Sequence, residues 1–138
     1  LTVAFDLRTE EVWVGQQYDC SITMTRPVVQ APSQQGGNTS VVGGNTHVRD
    51  ITMTLADTGY LKATVEAVGQ STSTEEFLAD RMDVGEINPS VLGSREFIVP
   101  IHASSDEFRV TFSNDTALPS TLVNGAWAIR FNARYRQS

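Results

Sequence analysis

HVRDITMTLADTGYLKATVEAV, residues 47–68, decides the fold class. Ile51, Met53 and Leu55 occupy every second position, with Thr52 and Thr54 between them. After LADTGY the same rhythm resumes in Leu61, Ala63, Val65 and Ala67. A period of two puts successive side chains on opposite faces of a strand, and threonine and valine suit that pleated surface. In the link, Asp57 can accept backbone hydrogen bonds and Gly59 can take a positive φ. The stretch therefore reads as two strands joined by a tight hairpin.

The rhythm continues on both sides. LTVAFDL opens the chain with Val3 and Phe5 on one face, and VWV at 12–14 is a short apolar patch. YDCSITMTR (18–26) alternates until Pro27, which ends a strand or confines it to a sheet edge. EFIVPIH turns Phe97, Val99 and Ile101 inward with Pro100 opposite, and EFRVTFSN does the same with Phe108, Val110 and Phe112. HASSDEF (102–108) between them reads as a second hairpin. The last strand carries Trp127, Ile129, Phe131 and Tyr135 on one face, alternating with Arg130, Asn132, Arg134 and Arg136. Seven or eight strands joined by Gly, Asn, Asp and Ser loops predict an all-β antiparallel sandwich over 1–138, immunoglobulin-like or jelly-roll-like. One helix candidate exists, STEEFLADRM (73–82), with Thr74 as cap and Glu75 and Glu76 in the first turn; a single turn or an acidic loop are its alternatives. The Gly-, Ser-, Gln- and Asn-rich segment at 30–46 reads as a flexible loop.

With 138 residues, the chain is long enough for one domain with its own core. A single cysteine rules out an internal disulfide framework and a cysteine-built zinc site. Cys20 shares a face with Tyr18, Ile22 and Met24, so a buried, inert thiol is expected. The net charge of −6 argues against DNA affinity as a property of the whole molecule. No apolar run spans a bilayer and none reads as a signal peptide, so no membrane anchor is expected. The first residue is Leu1, which suggests a piece of something longer.

Chemistry-bearing motifs are sparse. Asp57-Thr58-Gly59 spells the triplet of aspartic proteases, and Val91-Leu92-Gly93 resembles the element that follows it in the small dimeric ones. That mechanism needs two such aspartates sharing a proton, hence a homodimer. The turn reading is preferred, because a turn requires these residue types anyway. His47 and His102 lie far apart and lack metal-ligand spacing, so each reads as an exposed or strand-end histidine. The acidic run from Glu75 to Glu86, with Glu76, Asp80 and Asp83, lacks the Gly-centred loop of a calcium site and reads as solvated. Asn38-Thr39-Ser40 and Asn114-Asp115-Thr116 fit the glycosylation pattern, relevant only in a secretory pathway. No catalytic residue, metal or cofactor is expected. The row Arg130, Arg134, Arg136 suits pairing with acids on a neighbouring strand or subunit.

Several pieces together resemble one family. YDCSITMTRPVV, VRDITMTLADTGYLKATV, FIVPIHASSDEFRVTFSNDTALPSTL and NGAWAIRFNARYR are similar to the C-terminal part of the tail tubular protein B, or tail nozzle protein, of short-tailed bacteriophages. The resemblance covers most of 18–136 and is most specific at Asp57–Tyr60 and Asn114–Trp127. It departs in the length of the 30–46 loop and in a following strand that carries only Arg49 where more arginines belong.

The resemblance implies a virion structural protein rather than an enzyme, made in the bacterial host cytoplasm. It would form a hexameric tube for DNA ejection with other copies of itself, alongside tail adaptor and fibre proteins, with DNA only in transit. Arg130, Arg134 and Arg136 would then meet acids such as Glu76, Asp80 and Asp83 across a subunit interface. Asp57, Gly59, Asn114, Pro119 and Trp127 would be structural. A carbohydrate- or receptor-binding sandwich, using Trp13, Tyr18 or Tyr60, is the alternative.

Overall fold

The computed structural model describes residues 16–32, 36–40, 44–79 and 93–133. Among them are nine strands: β1 (Cys20–Thr23), β2 (Gln30–Pro32), β3 (Asn38–Ser40), β4 (Gly44–Ala56), β5 (Tyr60–Ala67), β6 (Ser73–Leu78), β7 (Arg95–Ser104), β8 (Phe108–Asn114) and β9 (Thr121–Ala133). Seven of these make two antiparallel sheets, one ordered β1-β8-β5-β6 and the other β7-β4-β9. β2 and β3 pair with each other as a small ribbon inside the 30–46 segment, and the last residues of that segment begin β4.

The inward set matches the alternation in sequence. Ile51, Met53 and Leu55 on β4, Leu61, Ala63 and Val65 on β5, Phe97, Val99 and Ile101 on β7, and Val110 and Phe112 on β8 are buried in one cluster. Aromatic rings link the layers. Phe97 of β7 stands 5.8 Å from Phe77 of β6 and 6.5 Å from Phe112 of β8, and Phe108 of β8 meets Trp127 of β9 edge-on at 5.7 Å. This is a β-sandwich whose core lies between a four-stranded and a three-stranded sheet.

Strand pairing corrects several expectations. Neither LADTGY nor HASSDEF is a hairpin. β4 pairs with β7 and β9, while β5 pairs with β6 and β8, so each of those turns carries the chain from one sheet to the other. A strand with one apolar face is satisfied equally by a lateral neighbour or by an opposing layer, and alternation alone does not say which. The hairpin proper is β5–β6, turned at Gly69 with φ 77.

Its second strand is the segment read as a helix. Glu75 and Phe77 face inward and Thr74, Glu76 and Leu78 outward, because backbone pairing with β5 and the contact between Phe77 and Phe97 outweigh the helix propensity of Glu and Leu. The positive φ falls on Asp57 (45°) rather than Gly59. Cys20 is exposed, and Ile22 beside it is 48% exposed. Among the described strands β1 stands at the end of its sheet, and the narrower opposing sheet leaves it exposed.

β9 docks less completely than expected. Leu122 and Trp127 pack on the core, but Ile129 is 42% exposed. Among the described strands β9 is flanked by β4 alone, and its ladder shifts register between Thr54 and Leu55, with Val123 as the extra residue. The expectations at 1–14, Asp80–Glu86, Val91, Leu92 and 134–136 lie outside the described residues.

Candidate functional site: an interlocked clasp and a basic groove

The two most specific motifs meet in space. The β4–β5 turn and the β8–β9 loop both cross between the sheets at the same end, and buried polar groups join them. Thr58 and Asn114 are each only 2% exposed. The Thr58 hydroxyl accepts from Thr121 N at 3.0 Å, and its proton is within reach of Ala56 O at 3.1 Å and Thr121 O at 3.3 Å. Gly59 N donates to Pro119 O at 2.8 Å, and Ala79 N donates to Gly59 O at 3.1 Å.

Asn114 organises the loop from inside. Its amide nitrogen donates to Leu118 O at 2.7 Å and Ser120 Oγ at 3.1 Å, and its oxygen accepts from Thr116 N at 2.8 Å and Thr116 Oγ1 at 2.7 Å. Tyr18 closes the arrangement by donating its hydroxyl to Leu118 O at 3.1 Å. Buried polar atoms are costly unless paired, and each of these is paired.

The clasp explains the motif residues without chemistry. Asp57 takes the left-handed backbone that Asp tolerates. Gly59 is needed for close approach: a Cβ there would sit 3.0 Å from Leu118 Cβ. Asp57-Thr58-Gly59 is thus a corner between sheets, with Asp57 at the surface and Thr58 inside. Asn114 is enclosed with its amide engaged, so it presents no acceptor for a glycan. Tyr18 and Tyr60, candidates for sugar stacking, spend their hydroxyls internally, on Leu118 O and on Glu76 Oε1 at 2.9 Å. Burial, the bond to Glu76 and the charges of Glu76 and Asp115 push the Tyr60 phenol up from 10.0 to about 12.

The structure places the expected interface residues apart. Arg130 is exposed on β9 and Glu76 is exposed on β6, which belongs to the other sheet. Arg134, Arg136, Asp80 and Asp83 lie outside the described residues.

Arg130 has other company. It lines a groove of about 490 Å³ with His47, Arg49, His102, Ala128 and Ile129. His47 and Arg130 are register partners across β4 and β9. At Arg49 both ladders of β4 break: from Val48 to Asp50 the chain advances two residues, while β9 advances one and β7 three. The additional residue of β7 is accommodated where His102 adopts φ 52. Bulges re-aim side chains, and here they gather four basic side chains from three strands. Arg49 Nε donates to Asp50 Oδ2 at 2.6 Å, with Arg49 70% exposed and Asp50 largely covered.

Spacing in sequence did not reveal this meeting of His47 and His102, since β4–β7 pairing is non-local. A usable signal was the break in alternation, in which buried Val48 is followed by buried Ile51, an odd interval that implies a bulge between them. Among the described residues no group of three or more His, Cys, Asp or Glu could hold a metal ion.

The best-defined motifs of this sandwich serve to join its own sheets. The chain belongs to the bacteriophage nozzle protein family, whose model matches residues 1–138. It is a structural component of a phage tail. Comparison with curated proteins returned no match.

Proposed function

We propose that this chain forms part of the wall of a hexameric tail conduit through which the genome leaves the capsid, as one domain of a longer subunit made in the host cytoplasm. The match of the whole chain to the nozzle family carries this reading. A closed ring requires heterologous contacts, in which one patch meets a different patch on the next copy. Arg130 and Glu76, exposed on opposite sheets, are suited to such a head-to-tail contact, and Arg134, Arg136, Asp80 and Asp83, which follow them closely in sequence, are proposed to take part in it. A net charge of −6 lets DNA pass without being held along its length. Tail adaptor and fibre proteins complete the set of partners.

The test is a charge swap in the full-length subunit. Arg130→Glu and Glu76→Lys are each expected to reduce ring formation, read by native mass spectrometry, and the double variant to recover part of it. Rings of unchanged abundance in both single variants would refute the pairing, and a full-length protein that never forms rings would refute the conduit.

A further inference from the structure

We propose that the groove on the three-stranded sheet is an oxyanion site that takes a single phosphate group, held by the guanidiniums of Arg49 and Arg130 and the imidazoles of His47 and His102. This goes beyond the conduit reading and does not depend on it. In a chain with sixteen acids and ten Lys and Arg residues, the described residues lining the groove include four basic side chains and no carboxylate; the Asp50 carboxylate bonded to Arg49 is not among them. They arrive from β4, β7 and β9, so the cluster is a product of tertiary pairing rather than of one charged stretch.

The backbone is shaped for the purpose. A non-glycine residue at positive φ is uncommon, and such conformations persist where the surrounding structure enforces them. His102 is held in this way beside the double register break that presents Arg49. The Asp50 carboxylate grips Arg49 by Nε, which fixes the guanidinium plane and leaves the terminal nitrogens for a ligand. A planar fork of this kind matches two oxygens of a phosphate. Two guanidiniums also disfavour a metal cation between the histidines.

The volume, about 490 Å³ and open to solvent, admits a phosphate with its hydration or one nucleotide, not a duplex. A low overall affinity for DNA is compatible with a local site for one phosphate. A carboxylate from a second copy, such as the Glu76 paired with Arg130 in the ring proposed above, would compete for the same groove, so the site is tested in the chain by itself.

The experiment follows the ring signals of His47 and His102 by NMR in the 138-residue chain at fixed pH and ionic strength. One arm replaces chloride by inorganic phosphate, and a second adds a short single-stranded oligothymidylate. Both histidines are expected to shift together and to saturate. Arg49→Gln and Arg130→Gln should each weaken binding about tenfold or more, as expected for the loss of a charge-assisted contact. Arg109→Gln, on the other sheet, should change nothing, and circular dichroism checks that every variant folds.

Equal affinity for both probes points to the free anion as ligand, and tighter oligonucleotide binding to a strand phosphate; either supports the site. No shift beyond that of chloride overturns it, as does equal weakening by Arg109→Gln.

Discussion

Thr58 shows how much one hydroxyl can settle. It is enclosed and bonded across a junction between sheets, so replacing it leaves backbone groups of Thr121 without their partner. Thr58→Val is expected to lower stability by about 1–3 kcal/mol in urea denaturation, the cost of a buried unsatisfied group. Thr58→Ser, which keeps the oxygen, should lose less than half of that. Gly59→Ala tests close approach instead of hydrogen bonding: its Cβ would press on Leu118 Cβ, at an expected cost of about 1–3 kcal/mol. His102→Gly works in the opposite direction. It removes a left-handed non-glycine residue, so its melting temperature should rise while phosphate binding falls. Sequence made Asp57, Gly59 and Asn114 recognisable as turn residues, because turns need those types. It did not show that the two turns touch, since that depends on β4 pairing with β9 and β5 with β8, strands far apart in the chain.

Among the elements, the β5–β6 hairpin carries a pH dependence whose sign is fixed. Tyr60 is neutral until about pH 12 in the folded chain and 10.0 is its ordinary value, so the folded state holds that proton more tightly. The corresponding stability is complete below pH 10 and is lost as pH rises through about 12. Tyrosinate absorbance should show one of the tyrosines titrating late, and Tyr60→Phe should abolish that late step.

The terminal strand offers a second test. Trp127 is half-buried against Phe108, so Trp127→Ala should cost about 2–3 kcal/mol, below the range for a fully enclosed aromatic. Alternation identified the inward faces of β4, β5, β7 and β8 because burial of one face imposes that period. It misled at β6, where Glu and Leu suit either element and only Phe77 meeting Phe97 decides. It also misled at Cys20, because the width of the opposing sheet is not written in the strand it fails to cover.

In the molecule as a whole, one core unites both sheets, so unfolding should be a single cooperative transition with coincident fluorescence and far-ultraviolet signals. Refolding should be slow, on the order of milliseconds to seconds, because apart from β2–β3 and the β5–β6 hairpin each ladder joins distant segments. Family membership was legible from a handful of motifs, and their physical content proves to be the joint between the sheets. The basic groove was not legible. Its four members are unremarkable in their own strands and acquire meaning only when β7, β4 and β9 lie side by side.

The clasp also has a mechanical implication. It secures the strand ends at Ala56 and Thr121, while His47 and Ser104 lie at the far end of the same ladders. A force that slides one sheet over the other would therefore meet a fulcrum at one end and give way first at the other. Amide hydrogens of Gly59 and Thr121 should outlast that of Ser105 in deuterium exchange. A ligand seated beside His47 would brace the end that yields.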